Sequence, residues 1–150
     1  MKYECVFQII WFLIFILCIL KMKLLVYAFF ILLMYFLAGI SKVVNYSATV
    51  KGFQNMFFLQ KLPSIFYDLA ISGVVLLEIL APIIIMFSLY TNTYNDYAYY
   101  SSIGLAIFTV LATLIYHFPS NESQYYGFIK NVTATGGLLL LSTFLNKFPR

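Results

Sequence analysis

Glu78 is the residue that most needs an explanation. It lies inside an apolar run, with Val74 to Leu77 before it and Ile79 to Ile85 after it. A charge at bilayer depth costs ~2.5–3.5 kcal/mol on insertion scales, so an acid there calls for a partner, water or a task. Pro82, four residues on, lacks the N–H that would bond the carbonyl of residue 78, which predicts a kink and a free acceptor beside the carboxyl group. Lys42, Lys130, Asn131 and His117 are the other candidates. The lysines and the amide can donate hydrogen bonds, and Glu78 and His117 can take up and release protons. Helical spacing groups them. Thr109, Thr113 and His117 recur every four residues, Tyr35, Gly39, Lys42 and Tyr46 share a face, and so do Lys130, Thr133 and Gly137. The expected result is a small polar pocket with Glu78 as its floor. A blander account stands beside it: the lysines snorkel to the interface, His117 is an ordinary interfacial side chain, and a Glu78–lysine ion pair only holds helices together.

The elements that must carry these residues follow from composition. The chain has 150 residues, 63% hydrophobic and 9% charged, where a soluble domain holds ~25% charged residues. An integral membrane protein is the expectation, in contact with the lipid bilayer. Spanning takes ~20 apolar residues, and lipid offers the backbone no partner but its own helix. Apolar runs extend from about Leu24 to Val44, Tyr67 to Leu89, Tyr97 to Phe118 and Phe128 to Leu145, with polar connectors between them. The expected fold class is therefore all-α, a transmembrane four-helix bundle. In an up-down bundle the ends bearing Lys42, His117 and Lys130 share one side. Gly39, Gly136 and Gly137 would let neighbouring backbones approach closely. Tyr90, Tyr94, Tyr97, Tyr99 and Tyr100 suit an interfacial aromatic belt.

Residues 1–21 are set apart as a hydrophobic extension, and 22–150 as the bundle. The run from Cys5 to Leu20 is taken as an additional N-terminal hydrophobic helix. A signal peptide fits less well, since no small-residue cleavage site follows, and an upstream extension ahead of Met22 is a further alternative. With four spans, Lys2, Lys21, Lys23, Lys147 and Arg150 outweigh Lys51 and Lys61 on the other side. The positive-inside rule then puts both termini in the cytoplasm, and a fifth span would move only the N-terminus out. The net charge of +4 is scattered, which gives nucleic-acid binding no support. Cys5 and Cys18 have neither redox nor zinc spacing and read as buried thiols, and no metal site is expected. Asn45-Tyr46-Ser47 and Asn121-Glu122-Ser123 are sequons by spacing, taken as chance occurrences.

Ala38-Gly39-Ile40-Ser41-Lys42-Val43, Leu77-Glu78, His117-Phe118, and Lys130-Asn131-Val132 followed by Gly136-Gly137-Leu138-Leu139-Leu140 stand in register over about Leu24 to Leu141. In this respect the chain resembles the DoxX-like family of small four-helix membrane proteins. The run before Met22 departs from the family pattern. The resemblance implies a four-helix bundle and a link to membrane redox chemistry, since members include a subunit of a thiosulfate:quinone oxidoreductase. It also implies that Lys42, Glu78, His117, Lys130 and Asn131 occupy the family's polar positions.

Three functions follow as expectations. One is a quinone-linked redox subunit, in which Lys42, Lys130 and Asn131 donate to the quinone oxygens while Glu78 and His117 relay protons. The sequence shows no flavin, haem or iron–sulfur ligand set, so a redox partner protein or bound substrate would supply the electrons. The second is a non-catalytic scaffold or cargo-binding partner. The third is a small-solute or proton transporter gated by Glu78, which as one small bundle would need to form oligomers.

Overall fold

The computed structural model describes the backbone of residues 2–55, 62–117 and 122–147, and the side-chain surroundings of residues 19, 22–55, 62–117 and 124–146. Its elements are α1 (Lys2–Val44), α2 (Tyr46–Gln54), α3 (Ser64–Thr91), α4 (Asn95–Tyr116) and α5 (Glu122–Lys147). Among the described residues every element is a helix. The side chains of Cys5 and Cys18, and the whole of Phe118 and Asn121, lie outside what is described.

Among the described residues, four helical stretches are long and apolar enough to cross a bilayer: Met22–Val44, Ser64–Thr91, Asn95–Tyr116 and Gln124–Asn146. They agree with the four apolar runs and differ from them by a few residues at the ends. Only 22–33% of the apolar 18-residue stretch within each is buried inside the bundle. Phe30, Leu69, Leu76 and Leu140 stand more than half exposed on its outer face. So much apolar surface is stable only against lipid. This is a multi-pass integral membrane protein.

The N-terminal hydrophobic run is helical and continues into the first span without a break, so it belongs to α1. α3 likewise runs unbroken through Pro82, which is buried in the bundle. A helical segment not expected from the sequence is α2, which lies in what reads as a polar connector. Its Val50 and Phe53 pack on Tyr67 and Ile71 of α3, and the Tyr46 hydroxyl reaches Ser72 Oγ at 2.9 Å and the Asp68 carbonyl at 3.0 Å. Tyr46, Val50 and Phe53 recur at one-turn intervals, so α2 is amphipathic and its apolar side is held by α3.

Buried positions recur at steps of three and four on every span: Ala28, Leu32, Tyr35 and Gly39 on α1, and Glu78, Ala81, Ile85 and Ser88 on α3. The same spacing places Ala98, Ser102, Leu105 and Thr109 on α4, and Leu138, Leu141 and Leu145 on α5. Such a seam is what nearly antiparallel helices bury when their side chains interdigitate. Small residues tighten it. Ser102 donates to the Leu138 carbonyl at 2.8 Å and ties α4 to α5. At the α3–α4 turn Ser88 donates to Asn95 Oδ1 at 2.8 Å, and Asn92 and Tyr94 take left-handed backbone. Tyr90, Tyr94, Tyr97 and Tyr100 project outward around that turn, as an aromatic belt would.

Candidate functional site

The site is built at the opposite end, where α1 finishes, α3 and α5 begin and α4 stops. The register of α1 against α3 is set by Gly39. A Cβ on it would stand 2.8 Å from Ile79 Cγ1 and 3.1 Å from Glu78 Cβ. Only glycine allows this approach, so the backbone of α1 lies against α3 at the level of Glu78. One turn further along α1, Lys42 Nζ donates to both carboxylate oxygens of Glu78, at 2.8 Å to Oε1 and 2.7 Å to Oε2. The Glu78 side chain is 4% exposed and that of Lys42 27%. The acid is therefore buried and satisfied, and the cation is the partly open member of the pair.

Beside this pair Tyr35 of α1 and Thr109 of α4 share a hydrogen bond of 2.7 Å between their hydroxyls. Thr109 and Thr113 also turn their hydroxyls back to the carbonyls of Leu105 and Thr109, at 2.7 and 2.6 Å. The stripe of threonines thus satisfies itself within α4, as hydroxyls in apolar surroundings commonly do. Among the described residues no buried side-chain nitrogen or oxygen lacks a hydrogen-bond partner.

The ion pair stands on a cavity of about 570 Å³. Lys42, Glu78, His117, Lys130 and Asn131 all line it, with Tyr35, Thr109 and Tyr116 as further polar groups. Most of the remaining wall is apolar, from Met34, Val74, Phe108 and Ile115 among others. The size and the ratio of apolar wall to a few polar groups are those of a small-molecule site. α2 closes part of it with Thr49, Gly52 and Phe53.

Of the five residues singled out by sequence, Lys42 and Glu78 are the two joined by hydrogen bonds. His117 caps α4 and pairs through Nδ1 with Gln124 Oε1 at 2.7 Å. Gly127 makes room for that ring, since a Cβ there would sit 2.6 Å from Nδ1. His117 is thus tied to α5 across the α4–α5 connection. Lys130 and Asn131 line the cavity from α5, and Lys130 is exposed with no acidic partner among the described residues. The sequence reading missed Gln124 as the partner of His117, and Thr49, Phe53 and Tyr116 as walls. The one-turn spacing of Tyr46, Val50 and Phe53 was the signal for α2. The Gln124 contact had no local sign, because it depends on how the α4–α5 connection turns.

No family model, curated protein or solved structure matches the chain.

Proposed function

We propose that the protein is a DoxX-like membrane subunit that binds the head group of a quinone in this cavity and works with a redox partner protein. The observation that carries the reading is the convergence of hydrogen-bond donors on an apolar cavity within the spans. An ammonium has three N–H donors, and Glu78 occupies two of those on Lys42. The third is left for a quinone oxygen. Lys130 and the Asn131 amide are candidates for the other oxygen. Reducing a quinone to a quinol adds two electrons and two protons. In this reading Glu78 and His117 relay the protons, and the partner protein supplies the electrons. The C-terminus is placed in the cytoplasm on the balance of lysines, which a C-terminal reporter of known sidedness tests.

The test is saturable binding of a ubiquinone analogue by the purified protein in detergent. Loss in both Glu78→Gln and Lys130→Ala, with the helical fold intact, supports the reading. Absence of binding by the unmodified protein sinks it.

A second reading is a scaffold in which the ion pair is a structural joint. It is favoured by the close packing of Gly39 on Glu78 and by the two-oxygen grip of Lys42. On that account the double replacement Lys42→Met with Glu78→Leu leaves partner assembly unchanged.

A further inference from the structure

Among the described residues the apolar interior falls into two clusters. The larger takes in α1, α4, α5 and the part of α3 from Leu77 onward, and its last apolar residue on α4 is Ala106. The smaller joins Val50 and Phe53 of α2 to Tyr67, Ile71 and Val75 of α3, and contains no residue of α4. α3 and α4 are close at Gly104, whose Cβ position is 3.7 Å from Leu77 Cδ1. Gly104, Phe108, Leu111 and Ile115 follow one another on a single helix face, so the face that meets α3 at Gly104 continues past it. Past Gly104 no residue of this face belongs to either apolar cluster. Phe108, Leu111 and Ile115 line the cavity instead, and so do Ala70 and Val74 on the α3 side. Beyond Gly104 the cavity therefore lies between the two helices.

That space is open to the outside. Leu111 and Ile115 line the cavity and are still 53% and 49% exposed. Their depth decides what lies outside. Glu78 is near the midpoint of α3. At about 1.5 Å of rise per residue, Val74 and Ala70 lie roughly 6 and 12 Å from its level. On the same scale Leu111 and Ile115 lie roughly 10 and 16 Å beyond Gly104. A hydrocarbon core about 30 Å thick extends about 15 Å from its midplane. Most of the opening therefore faces acyl chains, and its rim is apolar.

We infer that the gap between the N-terminal half of α3 and the C-terminal half of α4 is a lateral doorway from the bilayer into the cavity. Its ligand is a membrane-dissolved amphiphile, with a hydrogen-bonding head at Lys42 and Glu78 and a tail lying in the gap against Phe108, Leu111 and Ile115. The ligand half of this statement rests on the cavity being a head-group site, as proposed above. The doorway does not depend on it.

Two experiments separate these halves. In the first, Phe108→Trp is made in a Trp11→Phe background and reconstituted in phosphatidylcholine vesicles with brominated acyl chains. The doorway requires quenching of Trp fluorescence close to that of a lipid-facing Leu139→Trp control, with little quenching by aqueous acrylamide. Quenching by acrylamide but not by brominated lipid, or by neither, overturns it. Leu111→Trp, which lines the cavity, is 53% exposed and lies within the hydrocarbon core, repeats the reading if the first variant misfolds. In the second, decylubiquinone is compared with the tail-less ubiquinone-0 on the unmodified protein and on Leu111→Trp with Ile115→Trp. Filling the gap is expected to weaken the tailed quinone about tenfold, close to 1.4 kcal/mol, and to leave the tail-less one within about twofold. Equal loss of both, or of neither, overturns the tail's placement. If the unmodified protein binds neither quinone, the head-group reading fails, and the quenching result still decides the doorway.

Discussion

Lys42 and Glu78 illustrate how an ion pair in an apolar interior is tolerated. Each partner costs several kcal/mol to remove from water, and the pair holds only while both remain and their hydrogen bonds are filled. With Glu78 almost wholly buried and both its oxygens taken by one ammonium, Lys42→Met leaves an unpaired buried carboxylate. Its expected cost is about 3–5 kcal/mol of bundle stability. Adding Glu78→Leu to Lys42→Met recovers most of that loss, because two apolar side chains then replace the pair. Thermal unfolding in detergent for the two variants checks both statements. Equal instability of the single and double variants would show that the pair is not the source of the penalty. The glycines offer a contrast at the same scale. Gly39→Ala forces Ile79 and the Glu78 side chain to yield, for about 1–3 kcal/mol of overpacking. Gly136→Ala meets nothing within 4 Å and is expected to be neutral, or stabilising by up to ~1 kcal/mol through helix propensity. If the two alanines cost the same, close packing at Gly39 is not what sets the register.

At the scale of elements, α2 is the part least anticipated from sequence. Ser47, Thr49, Lys51 and Gly52 give the segment the polarity of a loop, and its helix has few apolar positions. What holds it is α3, through Val50 and Phe53 on Tyr67 and Ile71 and through the Tyr46 hydroxyl on Ser72 and Asp68. Tyr46→Phe removes those hydrogen bonds and is expected to cost about 0.5–1.5 kcal/mol. It should raise protease cleavage within 46–55 and leave the four spans intact. Unchanged cleavage would mean that the apolar contacts alone fix α2. The spans themselves were readable because lipid demands both an apolar run and a helix, so run and element coincide. Their ends were less so. Ser64, Asn95 and Glu122 are helical though polar, since a helix can begin outside the hydrocarbon core, where polar residues carry no insertion cost. The N-terminal run shows the converse. Lys21 and Lys23 read as a boundary between two segments, and α1 passes through both, because lysine is itself a good helix former.

At the scale of the molecule, an up-down order of four spans brings the ends carrying Lys42, His117 and Lys130 to one side, and that was legible from the runs alone. So was Glu78 at mid-depth. The ion pair could be named only as a glutamate with some lysine, because Lys42 and Lys130 both end or begin spans on the correct side. Gly39 decides between them by bringing α1 against Glu78. A polar pocket over Glu78 was likewise expected from the spacing, but the apolar part of the cavity was not. That part lies between α3 and α4 beyond Gly104, where α3 packs on α2, a division of partners that no single helix encodes.

The claim that this cavity is a ligand site inside the membrane is tested most directly by photolabelling with an azido-quinone in vesicles, followed by peptide mapping. The expected labels fall on residues 35–42, 70–78 and 108–117, compete away with excess unlabelled quinone, and diminish in Glu78→Gln. Labels spread along exposed faces such as Val26 to Phe30 or Leu139 to Phe144, without competition, would mean that the quinone merely dissolves beside the bundle.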